Sequence, residues 1–299
     1  MKTHITKHYQ TDLKDFTSWL EVLSYSKGTI HSAEQNIREF FTFLEHSKTF
    51  ELDQINQPII DNYFNYLQNR SNQKTGGGLS PTTLRKHRSS LVLVFQHLRK
   101  TRSISIKVEL PFIASERNTP DALSIKEIKL LYDACEKDIL GIRDSAMLAL
   151  YYGCGLRRSE GTNLNVTDVD LIKGQLLVQK SKTAHQRYVP LSQGTVKHLE
   201  KYLFESREHF LASNNNEQSF LVSSRGNRMH KETATYRLNK LVKSAAYSPF
   251  NEKQVSIHVL RHSIGTHLLQ SGMPLEDIAV FLGHKSLDST QIYTHLATR

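Results

Sequence analysis

Four apolar stripes in the first hundred residues constrain this chain more than any other feature. Leu13, Phe16, Leu20 and Leu23 form the first, and Ile37, Phe40, Phe41 and Leu44 the second. Ile60, Tyr63, Phe64 and Leu67 form the third, and Leu91, Val94, Phe95 and Leu98 the fourth. The last three follow i, i+3, i+4, i+7 spacing, which gathers each set on one face of an α-helix and requires a neighbour to cover it. Residues 1–105 are therefore expected to form a four-helix domain, with Gly28 separating the first pair and Lys74 to Gly78 looping before the fourth helix. Ser80 followed by Pro81 supplies a side-chain cap and a proline suited to the first helical position. Arg85, Lys86, Arg99 and Lys100 point away from the fourth stripe. They fit either a solvated face or contacts to a phosphate backbone.

Residues 106–121 read as a linker, because they contain Pro111 and Pro120 and lack a helical period. Ser124-Ile-Lys-Glu127 then matches a capping box that opens a second domain, 122–299. Its pattern predicts helices to about 136 and over 141–154, then short β-rich runs from Val166 to Leu191. Breaks at Lys173-Gly174 and Thr183 to Gln186 make those runs a small antiparallel sheet. Helices follow near 193–212, 230–245, 258–271 and 274–282, with a short one around Tyr293. The fold class is mainly α with a small antiparallel sheet, and 299 residues suit two domains.

The formal charge is +10 and the isoelectric point about 9.5, which favours a polyanionic partner. Each half carries +5, with 14 basic against 9 acidic residues up to residue 105 and 25 against 20 after it, so a partner touching both halves fits better than one bound by a tail. Cys135 and Cys154 lack metal-ligand spacing and do not suggest a disulfide framework. With no signal-peptide pattern and no membrane-length apolar run, the expected setting is a soluble, cytoplasmic one.

Four local patterns in the second domain carry chemistry. Gly155-Leu-Arg-Arg-Ser-Glu160 places an arginine at a helix-to-loop break, where its planar fork can meet a phosphate while a carboxylate holds it. Ser181-Lys182-Thr183 lies in a hairpin turn ahead of Tyr188-Val-Pro-Leu191, and a lysine there is either a solvated charge or a proton donor reaching into a groove. His258-Val-Leu-Arg261-His262 puts residues 258 and 261 on one helix face. Leu282-Gly-His284 precedes Tyr293 by nine residues.

Taken in order, Gly-Leu-Arg-x-Ser-Glu, Ser-Lys-Thr with Val-Pro-Leu, His-x-Leu-Arg-His, Leu-Gly-His and Ile-Tyr-Thr-His resemble the tyrosine recombinase (phage integrase) family, especially its Xer-like and transposon-integrase members. The resemblance spans nearly the whole chain. It implies an N-terminal SAM-like core-binding domain and a C-terminal catalytic domain closing as a C-shaped clamp on duplex DNA. It implies a catalytic set of Arg157, Lys182, His258, Arg261, His284 and the nucleophile Tyr293, with Glu160 bracing Arg157. The reaction implied is site-specific strand exchange through a 3′-phosphotyrosyl link, without metal, ATP or other cofactor. A bacterial, nucleoid-associated location follows.

The distance from Ser-Lys-Thr to Val-Pro-Leu favours Lys182 over Lys180, which could reach the same groove in another register. Arg158 reads as a surface or DNA-backbone residue, His262 and His267 as packing or capping groups, and Tyr151 and Tyr152 as core. Only six residues follow Tyr293, too few for the further helix with which many relatives dock on a neighbouring protomer. The expectation is a free monomer that assembles as a tetramer on synapsed DNA. Three rivals stand beside this reading. A type IB topoisomerase would relax supercoils without exchange, a zinc enzyme would use the His258/His262 pair, and an accessory protein would bind DNA without turnover.

Overall fold

The apolar stripes of the first hundred residues meet in one core. The computed structural model describes residues 7–71, 76–114, 122–179, 186–211 and 216–284. The chain divides into two compact units, Met1–Arg117 and Asn118–Arg299. In the first, α1 (Lys7–Val22), α2 (Lys27–His46), α3 (Gln57–Asn69) and α4 (Pro81–Arg102) bury Phe16, Leu20, Ile37, Phe40, Tyr63 and Leu91 together. Ser26, Asn56 and Ser80 cap α2, α3 and α4 by accepting from the backbone N–H three residues on, which satisfies one of the orphan donors at each helix start.

Two details depart from the sequence reading. Leu23 is not part of the first stripe; it lies beyond the end of α1 and is 46% exposed. Gly28 does not separate the first two helices, because it sits in the first turn of α2. The break comes earlier, where Ser24 takes a left-handed φ of 59° and Ser26 becomes the cap. Left-handed Ser24 ends α1, with the Tyr25 N–H donating to the Leu20 carbonyl at 3.1 Å, and the Ser26 cap starts α2. The stretch after α4 is extended, and Ile104, Ile106, Val108, Leu110 and Ile113 pack partly buried on the N-terminal core.

In the second unit, Ser124 and Glu127 form the expected reciprocal capping box at the start of α5 (Ile125–Asp133). α6 (Ile139–Leu148) is capped by Asp138 and runs on as a π-helical turn over Ala149–Gly153. α7 (Arg158–Asn163) follows, then β1 (Val169–Asp170), β2 (Gln175–Val178) and β3 (Arg187–Pro190) in an antiparallel sheet of that order. Val178 pairs with Arg187 and Gln175 with Pro190. The side chains alternate as a strand demands, so that Arg187 and Val189 face the interior while Tyr188 is exposed. The helix expected near 193–212 is α8 (Gln193–Lys201), a π-helical turn over Tyr202–Ser206, and α9 (Arg207–Leu211). α10 (Lys231–Ser244), α11 (Pro249–Glu252), α12 (Ile257–Gln270) and α13 (Leu275–Leu282) complete the described elements. One core joins α6, the sheet, α8, α10 and α12, with Met147, Leu150, Leu176, Val189, Leu238 and Leu260 at its centre. Among the described residues no helix is long and apolar enough to cross a membrane.

Candidate active site

The site grows from three chain breaks that the local sequence dictates. After the π-helical turn that ends α6, Gly155 adopts φ +58°, and a Cβ there would lie 2.7 Å from the Leu282 side chain. This glycine lets the chain reverse against α13 and present Arg157 at the N-cap of α7. Glu160, in the first turn of α7, accepts from the Arg157 backbone N–H at 2.8 Å and from Arg157 Nη1 at 2.8 Å.

The second break is the end of α13. Gly283 is left-handed at φ +66°. Its N–H donates to the Val280 carbonyl and that of His284 to the Ala279 carbonyl, the paired bonds of a Schellman cap. Such a cap leaves the next carbonyls without helical partners. Here each takes one arginine. Arg187 Nε donates to Phe281 O at 3.0 Å, Arg261 Nη2 to Leu282 O, and Arg157 Nη2 to Gly283 O at 2.9 Å. Cations at a helix C-terminus also sit favourably in its dipole.

The third is the start of α12, where Ser256 caps the helix and sets His258 and Arg261 one turn apart. Arg261 Nη1 donates to the Gly155 carbonyl at 2.6 Å and lies 3.8 Å from Glu160. Beneath it, Ser263 Oγ accepts from the Leu123 N–H at 2.8 Å, tying the start of the unit to α12.

Three guanidinium groups thus converge on one carboxylate. Glu160 receives Arg187 twice, at 3.2 and 3.0 Å, beside its bonds from Arg157. Burial alone would raise the Glu160 pKa, but hydrogen bonds and charge from Arg187, then Arg157, bring it down to about 2. Among the described residues one carboxylate faces three guanidinium groups, which makes the cluster positive. Accessibility differs sharply within it: the Arg157 side chain is 28% exposed, whereas those of Arg187 and Arg261 are 6% and 3%.

The histidines respond to this field. Burial, then Arg261 and Arg157, lower the His258 pKa. The same causes, with Arg187 added, bring His284 down to about 4. Both rings are neutral at pH 7. His262, read from sequence as a packing group, instead meets His258 Nε2 to Nε2 at 2.8 Å, and burial followed by His258 lowers its pKa to about 3. Two imidazoles bonded to each other are occupied differently from a zinc pair. Among the described residues no cluster of three or more His, Cys, Asp or Glu side chains is placed to hold a metal ion.

Of the residues singled out from sequence, Arg157, Glu160, His258, Arg261 and His284 come together here. Lys180, Lys182 and Tyr293 lie outside the described residues. Arg158 is on the surface and donates to Thr235 Oγ1 at 3.3 Å. Tyr151 is fully buried, and Tyr152 shares a 2.9 Å hydrogen bond with His267 Nδ1. Arg187 was missed. The signal was present in Arg187-Tyr188-Val189-Pro190, where strand alternation with Val189 turned inward forces Arg187 inward too, and a buried cation requires a partner.

Comparison with known proteins matches both units. The phage integrase SAM-like domain covers residues 2–108 and the phage integrase family residues 122–299. The chain belongs to the phage integrase family, as a tyrosine site-specific recombinase of the Xer-like type that cleaves and rejoins DNA. Tyrosine recombinase XerD of Oceanobacillus iheyensis is 31% identical over 291 residues, 95% of this chain and 93% of that protein. Tyrosine recombinase XerC of Natranaerobius thermophilus is 31% identical over 297 residues, 96% and 94% of the two chains. In fold, XerH site-specific recombinase bound to a palindromic difH substrate superposes with a TM-score of 0.74 at 20% identity, covering 90% of this chain and 76% of that one.

Proposed function

We propose that the arginine cluster binds the scissile phosphate of a double-stranded recombination site and that Tyr293 attacks it. The observation that carries this reading is the convergence of Arg157, Arg187 and Arg261 on Glu160, three guanidinium groups on one carboxylate among the described residues, with Arg157 the most exposed of the three. A phosphodiester resists attack because its non-bridging oxygens are negative and gain charge in the transition state. Arg157 and Arg261 supply planar donors for those oxygens. The Tyr293 oxygen forms a bond to phosphorus, its proton passes to neutral His258, and the bond from phosphorus to the 5′ oxygen breaks. Lys182 protonates that leaving oxygen, and His284 hydrogen-bonds the phosphate. The 3′-phosphotyrosyl link keeps the bond energy for rejoining when a 5′ hydroxyl from the partner strand attacks.

In the N-terminal unit, Arg85 and Lys86 line a groove of about 670 Å³ between α2 and α4 that is rich in hydroxyl groups, among them Thr29, Ser32 and Ser89. With Arg99 and Lys100 in the last turn of α4, these side chains are the phosphate contacts that hold the site in register, and Arg158 and Lys180 extend them in the catalytic domain. The protein is a monomer when free and a tetramer on synapsed DNA. Light scattering that stays at one protomer without DNA and reaches four with paired sites supports this; a stable tetramer without DNA contradicts it.

The test of the chemistry is a nicked suicide substrate. In EDTA, the wild type will form a covalent protein–DNA adduct on a denaturing gel, and Tyr293→Phe will form none. An adduct that needs a divalent metal would overturn the mechanism.

A further inference from the structure

We propose that Arg187 is a positioning residue for strand cleavage, a buried guanidinium that fixes Arg157 through Glu160 and His284 through the carbonyl end of α13. This rests on the reading of Arg157, Arg261 and His284 as phosphate-binding groups, and none of the residues implied by the family resemblance lies on β3.

The geometry gives Arg187 two simultaneous tasks. Its Nη1 and Nη2 engage both oxygens of Glu160, and its Nε donates to Phe281 O. Glu160 in turn holds the backbone and side chain of Arg157. Phe281 is two residues before Gly283, and a Cβ on Gly283 would lie 2.7 Å from Arg187 Nη1. The turn that delivers His284 is therefore built around this guanidinium.

Stability alone does not call for a charge here. Its inward neighbour on β3, Val189, is fully buried, and a hydrophobic side chain in place of a buried ion pair is often neutral or better for stability. What an apolar residue cannot do is hold a carboxylate at a fixed angle. Without Arg187, the freed lone pairs of Glu160 would compete for Arg157 and Arg261 and draw them from the phosphate. The Phe281 carbonyl would lose its donor, and the Gly283–His284 turn would shift. A misplacement of about 1 Å at a reacting centre costs about 100-fold in rate. With Nε, Nη1 and Nη2 all engaged by Phe281 O and Glu160, Arg187 itself acts on the phosphate through these neighbours.

The experiment uses the full chain, a nicked recombination-site substrate, and the same substrate with a neutral methylphosphonate at the scissile position. Removing one anionic oxygen lessens the demand for well-placed cations. Arg187→Lys is expected to cleave the phosphodiester about 100-fold more slowly while its affinity for the site and its melting temperature stay near those of wild type. Its deficit on the methylphosphonate should shrink below about tenfold. Arg187→Gln, the second variant, keeps polar groups but removes the charge. It breaks the buried pair with Glu160 from one side and should melt lower, yet show the same pattern of rates on the two substrates at a temperature where it is folded. Cleavage within threefold of wild type would overturn the proposal, as would an equal loss on both substrates, which is the mark of a merely structural residue. Failure of the wild type itself to cleave the phosphodiester would instead overturn the reading of the site as a whole.

Discussion

Arg157→Ala will lower cleavage of a suicide substrate by about a thousandfold or more, with the catalytic domain still folded. Removing a single preorganised donor to a developing oxyanion costs about 10²–10³ in rate, and a guanidinium removes a charge as well. Arg157 is the residue of the cluster best placed to show this cleanly. Its side chain is 28% exposed, and Glu160 keeps the two bonds from Arg187 when it is gone. The Gly283 carbonyl and Glu160 Oε1 each lose one side-chain donor, and Glu160 Oε1 keeps that of Arg187. Affinity for the site should change far less than the rate, since one phosphate contact among many is lost. Single-turnover cleavage alongside equilibrium binding separates the two. A rate within tenfold of wild type, or a loss wholly explained by weaker binding, would contradict the assignment.

Glu160→Gln gives the largest expected effect on stability. The substitution keeps size and shape but leaves Arg187 and Arg261, whose side chains are 6% and 3% exposed, without their anion. Breaking a buried pair from one side costs about 3–5 kcal/mol. The pH dependence follows from the depressed Glu160 pKa, about 2 against an ordinary value of 4.5. The ionised carboxylate stabilises the fold fully above pH 4.5. That contribution is lost as pH falls toward 2, because the unfolded chain takes up the proton first. Protonated Glu160 resembles glutamine, so the gap in urea midpoint between wild type and Glu160→Gln should be widest near pH 7 and narrow steadily below pH 4.5. A gap that does not depend on pH would show that the lost term is packing.

The helices and the sheet were legible because burial is written as period. Ile37, Phe40, Phe41 and Leu44 mark a face whatever covers it, and all four are buried. Ser80-Pro81 and Ser124/Glu127 mark helix starts through local hydrogen bonding, and both appear as read. The errors at Leu23 and Gly28 are errors of termination, because a left-handed serine, Ser24, ends α1 ahead of the glycine that the sequence offers as a break. The site was legible as a set of residues but not as a device. Arg157 and Glu160 are three apart and announce each other. The other bonds of the cluster join Arg187 to Glu160 across 27 positions, Arg261 to Gly155 across 106 and Arg157 to Gly283 across 126. No local pattern reports a carbonyl at the end of a distant helix, so the role of α13 as an anchor for three arginines emerges only from the fold. Likewise His262 sits at i+4 from His258, a spacing shared by a metal pair, a stacked pair and a hydrogen-bonded one.

The most direct test of the central claim is to find which atom of the protein carries the DNA. Wild type trapped on a suicide substrate would be digested with trypsin and nuclease and the modified peptide sequenced by mass spectrometry. Cleavage after Lys285 releases Ser286–Arg299, in which Tyr293 is the only tyrosine. Nucleotide mass on Tyr293 in this peptide is the predicted result. The same mass on Tyr151, Tyr152 or any residue outside Ser286–Arg299 would contradict the account.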